Sequence, residues 1–287
     1  MAKTLEDFDL IEREAALIAQ QLDIPPCPAI LVKFNEEFHA PHPDVRRLAA
    51  LIGTDIGLAA TVIKTVNSPF FGLSQKATGV EQALSILGLR ASANLISGLL
   101  LRSVFPAGSG KAMQRFWDNS MRIAGLAAAI AVRLKEMNRD AAHTYVLFRD
   151  CGMLVMLRKF PPYADIMDQS GHIPGAQFTR IEEARFQYNH ARVACALARS
   201  WSLAEPLCGA IFCHHELALI GKSAPTAEPP DKKLIAFGLL AEQIAALHVS
   251  RGLCPDWPGA EDFVLATLGI GADDIVALTQ DLLGIAA

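Results

Sequence analysis

Phe148-Arg149-Asp150-Cys151-Gly152, Asn189-His190-Ala191 and Cys213-His214-His215-Glu216 are the stretches in which this chain concentrates its chemistry. With Phe116-Trp117-Asp118-Asn119-Ser120 they fall in, or at the ends of, segments of helical periodicity. A helical bundle draws such segments around one interior point, which is how metal sites in bundles are built. Carboxylate oxygens and neutral imidazole nitrogens have lone pairs for a divalent cation, whereas a guanidinium has only donors. Asp150, His190, His214 and His215 are therefore the candidate ligands, and Arg149 cannot be one. Its fixed charge also disfavours a cation nearby, because like charges repel strongly in a low-dielectric interior. The simpler reading of each histidine is structural, with one ring nitrogen hydrogen-bonded. Adjacent residues on a helix point about 100° apart, so only one of His214 and His215 is expected to face a common centre squarely.

Outward from these clusters the chain reads as helices throughout, with no alternating strand pattern of useful length. Residues 4 to 22 carry an apolar stripe that Pro25, Pro26 and Pro28 end. Helices are expected from Ala29 to Phe38, from Val45 to Gly53 behind an Asp44 cap, and after Thr54 or Asp55 up to Asn67-Ser68-Pro69. Phe70, Phe71 and Leu73 then form an apolar turn, read as a contact surface between lobes or with a partner. Val80 to Leu87 and Arg90 to Val104 follow, and Ala107-Gly108-Ser109-Gly110-Lys111 is the best internal boundary. It lacks the full spacing of a phosphate loop and no strand precedes it. Further helices are expected from Ala112 to Glu136, Ala141 to Lys159, Ile181 to Tyr188, His190 to Trp201 and Glu205 to His215. Pro161 to Phe178 reads as irregular apart from a short helix, and Leu217 to Lys232 as an exposed loop. Leu234 to Val249, Ala260 to Leu268 and Ala272 to Leu283 complete the helices.

Composition narrows the function classes. Hydrophobic residues make up 52% and charged residues 20%, which suits a compact fold with a sizeable core. A net charge of -4 gives no general footprint for phosphates, so nucleic acid is not expected as a partner. Six cysteines, at 27, 151, 195, 208, 213 and 254, form no Cys-x-x-Cys pair, a usage that suits a reducing cytoplasm. An acidic N-terminus and the lack of a long uninterrupted apolar span lead to the expectation of a cytoplasmic protein with no membrane partner.

The clusters resemble those of the HD superfamily of metal-dependent phosphohydrolases and its HD-GYP branch. There a His opens the first cluster, and a His-Asp doublet followed by Gly forms the second. Here those His positions are Asn119 and Arg149, while Asp150, His190, His214 and His215 match. A second resemblance covers Ile24 to Phe105, through Thr54-Asp55-x-x-Leu58-Ala59, Val66-Asn67-Ser68-Pro69-Phe70-Phe71-Gly72 and Ala83-Leu84-x-x-Leu87-Gly88. It is to the HD-related output domain family, HDOD, and with the later clusters it extends to about Leu247.

The resemblance implies an all-α, two-lobed helical bundle with an HD-like C-terminal lobe, of the kind found in bacterial signalling proteins and generally not credited with catalysis. The expected layout is an N-terminal helix over 1–23, a helical lobe over 24–106, the HD-like lobe over 111–250 and a helical extension over 251–287. Asn119, Arg149, Asp150, His190, His214 and His215 would form a degenerate site, with no cofactor and no metal, in which Arg149 stands as counter-charge to Asp150. The expected function is a non-catalytic output or scaffold domain, a pseudoenzyme whose partner is an unidentified signalling protein. The alternatives are a metal-dependent phosphohydrolase or phosphodiesterase with an altered ligand set, and a sensor that binds a small-molecule nucleotide without turning it over.

Overall fold

The computed structural model describes residues 15–69, 71, 73, 76–220, 231–248 and 252–283. Among these every regular element is helical and no strand occurs. None of the described helices is by itself long and apolar enough to cross a membrane. The chain divides into two compact units. One is Pro26–Pro106; in the other, residues 15–25 join those from Ala107 onward.

In the first unit, α2 (Ala29–Phe38), α3 (Val45–Gly53), α4 (Ile56–Val66), α5 (Val80–Leu87) and α6 (Leu89–Val104) follow one another. Asp44 and Asp55 start α3 and α4 by accepting from the amides of Arg46 and Leu58, so of Thr54 and Asp55 the latter is the cap. The helices close on Leu31, Phe34, Leu48, Ile52, Val62, Leu84 and Ile96, all fully or almost fully buried. Asn67 clamps the turn behind α4: its side chain donates to Ala77 O and accepts from Ala77 N, both at 2.8 Å. Of the turn's three apolar residues, Phe70 lies outside the described residues, and Phe71 and Leu73 are half-buried.

The second unit begins with α1, described over residues 15–21. Its tail is tied down by Trp201 Nε1, which donates to Pro25 O at 3.1 Å, and by Lys159, which pairs with Asp23. α7 (Lys111–Leu134) packs along α8 (Arg139–Arg149) and α14 (Lys232–His248). α12 (His190–Ser200) packs on α9 (Gly152–Lys159) and α13 (Glu205–Cys213). α10 (Ala164–Met167) and α11 (Gly175–Phe186) lead into α12, and α15 (Trp257–Leu268) and α16 (Ala272–Leu283) end the described chain. α11 starts inside the stretch expected to be irregular, because Phe178 and Glu182 share its inward face.

Two expectations from periodicity are corrected here, and both corrections shape the site. The single helix from Ala141 to Lys159 is two helices, α8 and α9, that meet at Asp150-Cys151. There the bonds shorten to Cys151 N–H on Phe148 O and Met153 N–H on Asp150 O, a tightened turn that an apolar period cannot reveal. The expectation that one of His214 and His215 turns away also fails. α13 ends at Cys213, so the pair sits in a turn and both rings point inward, with centroids 4.0 Å apart.

Candidate functional site

The break between α8 and α9 places Asp150 just ahead of the N-terminus of α9, where a helix dipole favours a negative charge. Gly152 lets α12 come close at this point. A Cβ on Gly152 would lie 2.0 Å from His190 O, so no larger residue fits without moving backbone. His190 is the first residue of α12, whose start is capped by Asn189 accepting from Arg192 N at 2.9 Å. The turn after α13 supplies His214 and His215.

These elements bring Asp150, His190, His214 and His215 together, with one ligand atom from each inside 4.8 Å of the other three. Asp150 Oδ1 lies 3.2 Å from His214 Nε2 and 3.5 Å from His190 Nε2, and the Nε2 atoms of His190 and His215 are 3.1 Å apart. Each Nδ1 faces outward to an acceptor. His190 Nδ1 donates to Glu182 Oε2 at 2.7 Å, and His214 Nδ1 donates to Ile211 O at 2.5 Å. His215 Nδ1 sits 3.2 Å from Asp256 Oδ2, close enough to attract but without the alignment of a formed hydrogen bond.

Arg149 lies beside the cluster and outside it. Its Nε donates to Asp150 Oδ2 at 3.1 Å, and its Nη2 pairs tightly with Glu242 on α14. Burial disfavours its charge, but Glu242 and Asp150 outweigh burial and raise its pKa above the ordinary arginine value. Asp150 is held well below the usual carboxylate range: burial opposes ionisation, and Arg149 with the His190 and His214 hydrogen bonds overcomes it. Burial lowers the His190 pKa, yet Glu182 and the Asp150 contact lift it to about 10. Burial and the neighbouring His214 push His215 down to about 3. A proton on His190 thus supplies the positive charge that this group of lone pairs requires.

Asn119 does not join the cluster. It is exposed on α7, and its Oδ1 accepts from Arg122 Nη2 at 2.9 Å. Sequence reasoning missed Glu182, Glu242, Asp256 and Tyr163, whose hydroxyl donates to Glu182. Glu182 had a signal, as a carboxylate on the inward stripe that Phe178 begins. Glu242 had one too, as an acid inside the apolar run Leu239 to Ala245. Asp256, in a loop between prolines, had none.

The donor set fits one divalent cation. Metal–nitrogen bonds of about 2.1 Å in a tetrahedral shell place donors roughly 3.4 Å apart; three of the six donor pairs stand at 3.1, 3.2 and 3.5 Å, and all six lie within 4.8 Å. Histidine ligands characteristically give their other ring nitrogen to a carboxylate or carbonyl, as His190 and His214 do here. Asp150 Oδ1 and the Nε2 atoms of His190, His214 and His215 would hold the ion. The expectation of an emptied site rested on the missing ligands at Asn119 and Arg149 and on the charge of Arg149; of these, the charge is met by Glu242 and Asp150 Oδ2. When bound, a cation would supply a Lewis-acidic positive charge. Four protein ligands would fill a tetrahedral shell.

Comparisons with known proteins identify the family and the fold. The HDOD domain model matches residues 24–217. A solved HDOD domain protein of unknown function from Geobacter sulfurreducens is 22% identical, with a TM-score of 0.67 over 95% of this chain and 94% of that one. A candidate phosphohydrolase from Shewanella amazonensis SB2B is 21% identical, with a TM-score of 0.67 over 93% of each chain. A candidate signal transduction protein from Marinobacter aquaeolei VT8 is 20% identical, with a TM-score of 0.67 over 93% of this chain and 58% of that one. Among curated proteins, an uncharacterized Treponema pallidum protein is 26% identical over 239 residues; the match takes in 78% of this chain and 43% of that protein. A family match over this much of the sequence, on a helical fold shared with a solved member, means that the chain belongs to the HDOD domain family.

Proposed function

We propose that the protein is a signal-transduction output domain that acts through protein contacts, and that its Asp-His cluster holds one cation as a structural element without hydrolysing phosphodiesters. The observation that carries this reading is the number of protein donors, four around one point. His190 and His214 are buried, Asp150 and His215 are half-buried, and the four donor atoms lie within 4.8 Å of one another, so four protein groups would surround one ion. A catalytic metal site keeps a coordination position open, and a structural one does not. The signalling role draws further support from the family and from the description of the Marinobacter aquaeolei structure.

The phosphohydrolase reading draws on the description of the Shewanella amazonensis structure and on the same four donors. One assay separates the two. Purified protein supplied with zinc, manganese or iron(II) is incubated with bis(p-nitrophenyl) phosphate and with cyclic dinucleotides. The expected result is no turnover above that of the His190→Ala variant, with metal bound near one equivalent by elemental analysis. Metal-dependent turnover that His190→Ala abolishes would replace this proposal with the hydrolase.

A further inference from the structure

We infer that Asp256 is a positioning residue for the cation site, acting through His215, so that a segment beyond the family-matched residues 24–217 completes the metal-binding centre. The inference rests on the one-cation reading above and extends it to a residue that the family match does not cover.

His215 is the ligand whose orientation is least secured by its own element. His190 is fixed by Glu182, on the helix just before its own, and His214 by Ile211 O, three residues back in the chain. His215 Nδ1 is buried without a formed hydrogen bond, and the acid it faces is Asp256, 3.2 Å away. That carboxylate is fixed in turn, because its Oδ1 accepts from Gly175 N–H at 2.7 Å at the start of α11. The same glycine leaves the space in which the imidazole lies, since a Cβ there would come within 1.8 Å of His215 Nδ1. Asp256 directly precedes α15, which packs on α14. One carboxylate therefore joins α11, the turn after α13 and the start of α15 around a single ring.

A carboxylate 3.2 Å from Nδ1 favours the ring proton on that nitrogen, which leaves the Nε2 lone pair facing His190. This is how a carboxylate tunes a histidine ligand, and loss of such a partner typically weakens metal affinity by about 10- to 100-fold. Glu242, also beyond the matched residues, contributes at the same centre by meeting the charge of Arg149.

The test is zinc titration of the full chain by calorimetry, with nitrogen-15 NMR of the histidine rings. Wild type, Asp256→Asn, His215→Ala and the surface control Asp168→Asn are compared. The expected outcome is near-stoichiometric zinc in wild type and in Asp168→Asn, roughly 10- to 100-fold weaker binding in Asp256→Asn, and a shift of the His215 ring away from the Nδ1–H tautomer. Should wild type bind no zinc, the one-cation reading fails and this inference with it. Should wild type bind while Asp256→Asn binds equally well with an unchanged tautomer, the inference alone is overturned. Asparagine keeps the acceptor for Gly175 N–H and the size of the side chain while its NH2 faces His215 Nδ1, and a ring spectrum retained elsewhere in the protein shows that the variant is folded.

Discussion

The two units of this chain bury different kinds of side chain. Among the described residues of Pro26–Pro106, the buried polar groups are Ser92 and Ser97, and each hydroxyl donates to a carbonyl one turn back in its own helix. The other unit buries Arg149, Glu182, Asn189, His190, His214 and Gln243. The first is held by apolar burial and helix caps, so its parts contribute nearly independently. The second holds a polar network in a low dielectric, where every member must be satisfied and loss of one leaves the others exposed to the full desolvation cost. Substitutions of equal size should therefore cost more in the second unit.

The sharpest test is Arg149→Ala. It leaves Asp150 and Glu242 without their cation, and removal of one partner of a buried pair typically costs 3 to 5 kcal/mol, about what is expected here. Urea unfolding followed by tryptophan fluorescence reads this unit, because Trp117, Trp201 and Trp257 all lie in it. Removing Glu242 as well, as Arg149→Met with Glu242→Leu, should recover part of the loss. A single variant as stable as wild type would mean that the buried guanidinium is not needed to balance the acids.

Gly152→Ala is expected to cost about 3 kcal/mol, at the upper end for overpacking, because the new methyl meets backbone at His190 O and at Ala194 N. It should also spread the ligands, since His190 rides on the helix that must shift. The same variant therefore lowers both the unfolding midpoint and zinc uptake, and a midpoint within a degree of wild type would contradict the close approach.

How far the sequence could be read follows from what each feature leaves in a linear code. Apolar period and capping acids gave α2, α3 and α4 closely, because those signals are local. The same period ran through the α8–α9 break unmarked, because the turn is tight and its inward residues stay apolar. Four of the six residues assigned to the site converge, Arg149 stands beside them on Asp150, and Asn119 faces solvent. The carboxylates that orient the rings were not legible as such, since Glu182, Glu242 and Asp256 acquire their roles only when distant helices pack. The halving of the helix at Asp150 and the turn at His214-His215 are what allow all four donors to meet.

A pH effect of intermediate size should come from His143 on α8. Burial pushes its pKa from the ordinary 6.5 down to about 4, so the folded state resists protonation while the unfolded chain does not. The sign follows from that: the stability tied to neutral His143 is complete above pH 6.5 and is lost as pH falls through 4. A shift from 6.5 to about 4 corresponds to at most ~3 kcal/mol, and partial solvent access brings the expected loss to about 2 kcal/mol. His143→Gln should flatten the stability profile between pH 6.5 and 4. An unchanged slope in that variant would assign the acid sensitivity to the other buried groups of the unit.

The smallest expected effect belongs to the first unit and tests whether its parts act independently. Asp55 accepts from Leu58 N at 2.9 Å and caps α4, placing a carboxylate at the positive end of the helix. Asp55→Ala removes both the acceptor and the charge and should cost about 1 kcal/mol. Asp55→Asn keeps the acceptor and should cost only a few tenths of that, about the share of the helix dipole. No tryptophan lies in Pro26–Pro106, so the readout is amide exchange along α4, where Val62 and Val66 are fully buried. Faster exchange confined to α4, in the order Ala over Asn over wild type, is the outcome that local capping requires. Equal acceleration across α2, α3 and α6 would instead mean that this unit opens as a whole and that its cap is coupled to the entire core, as the polar network is in the other unit.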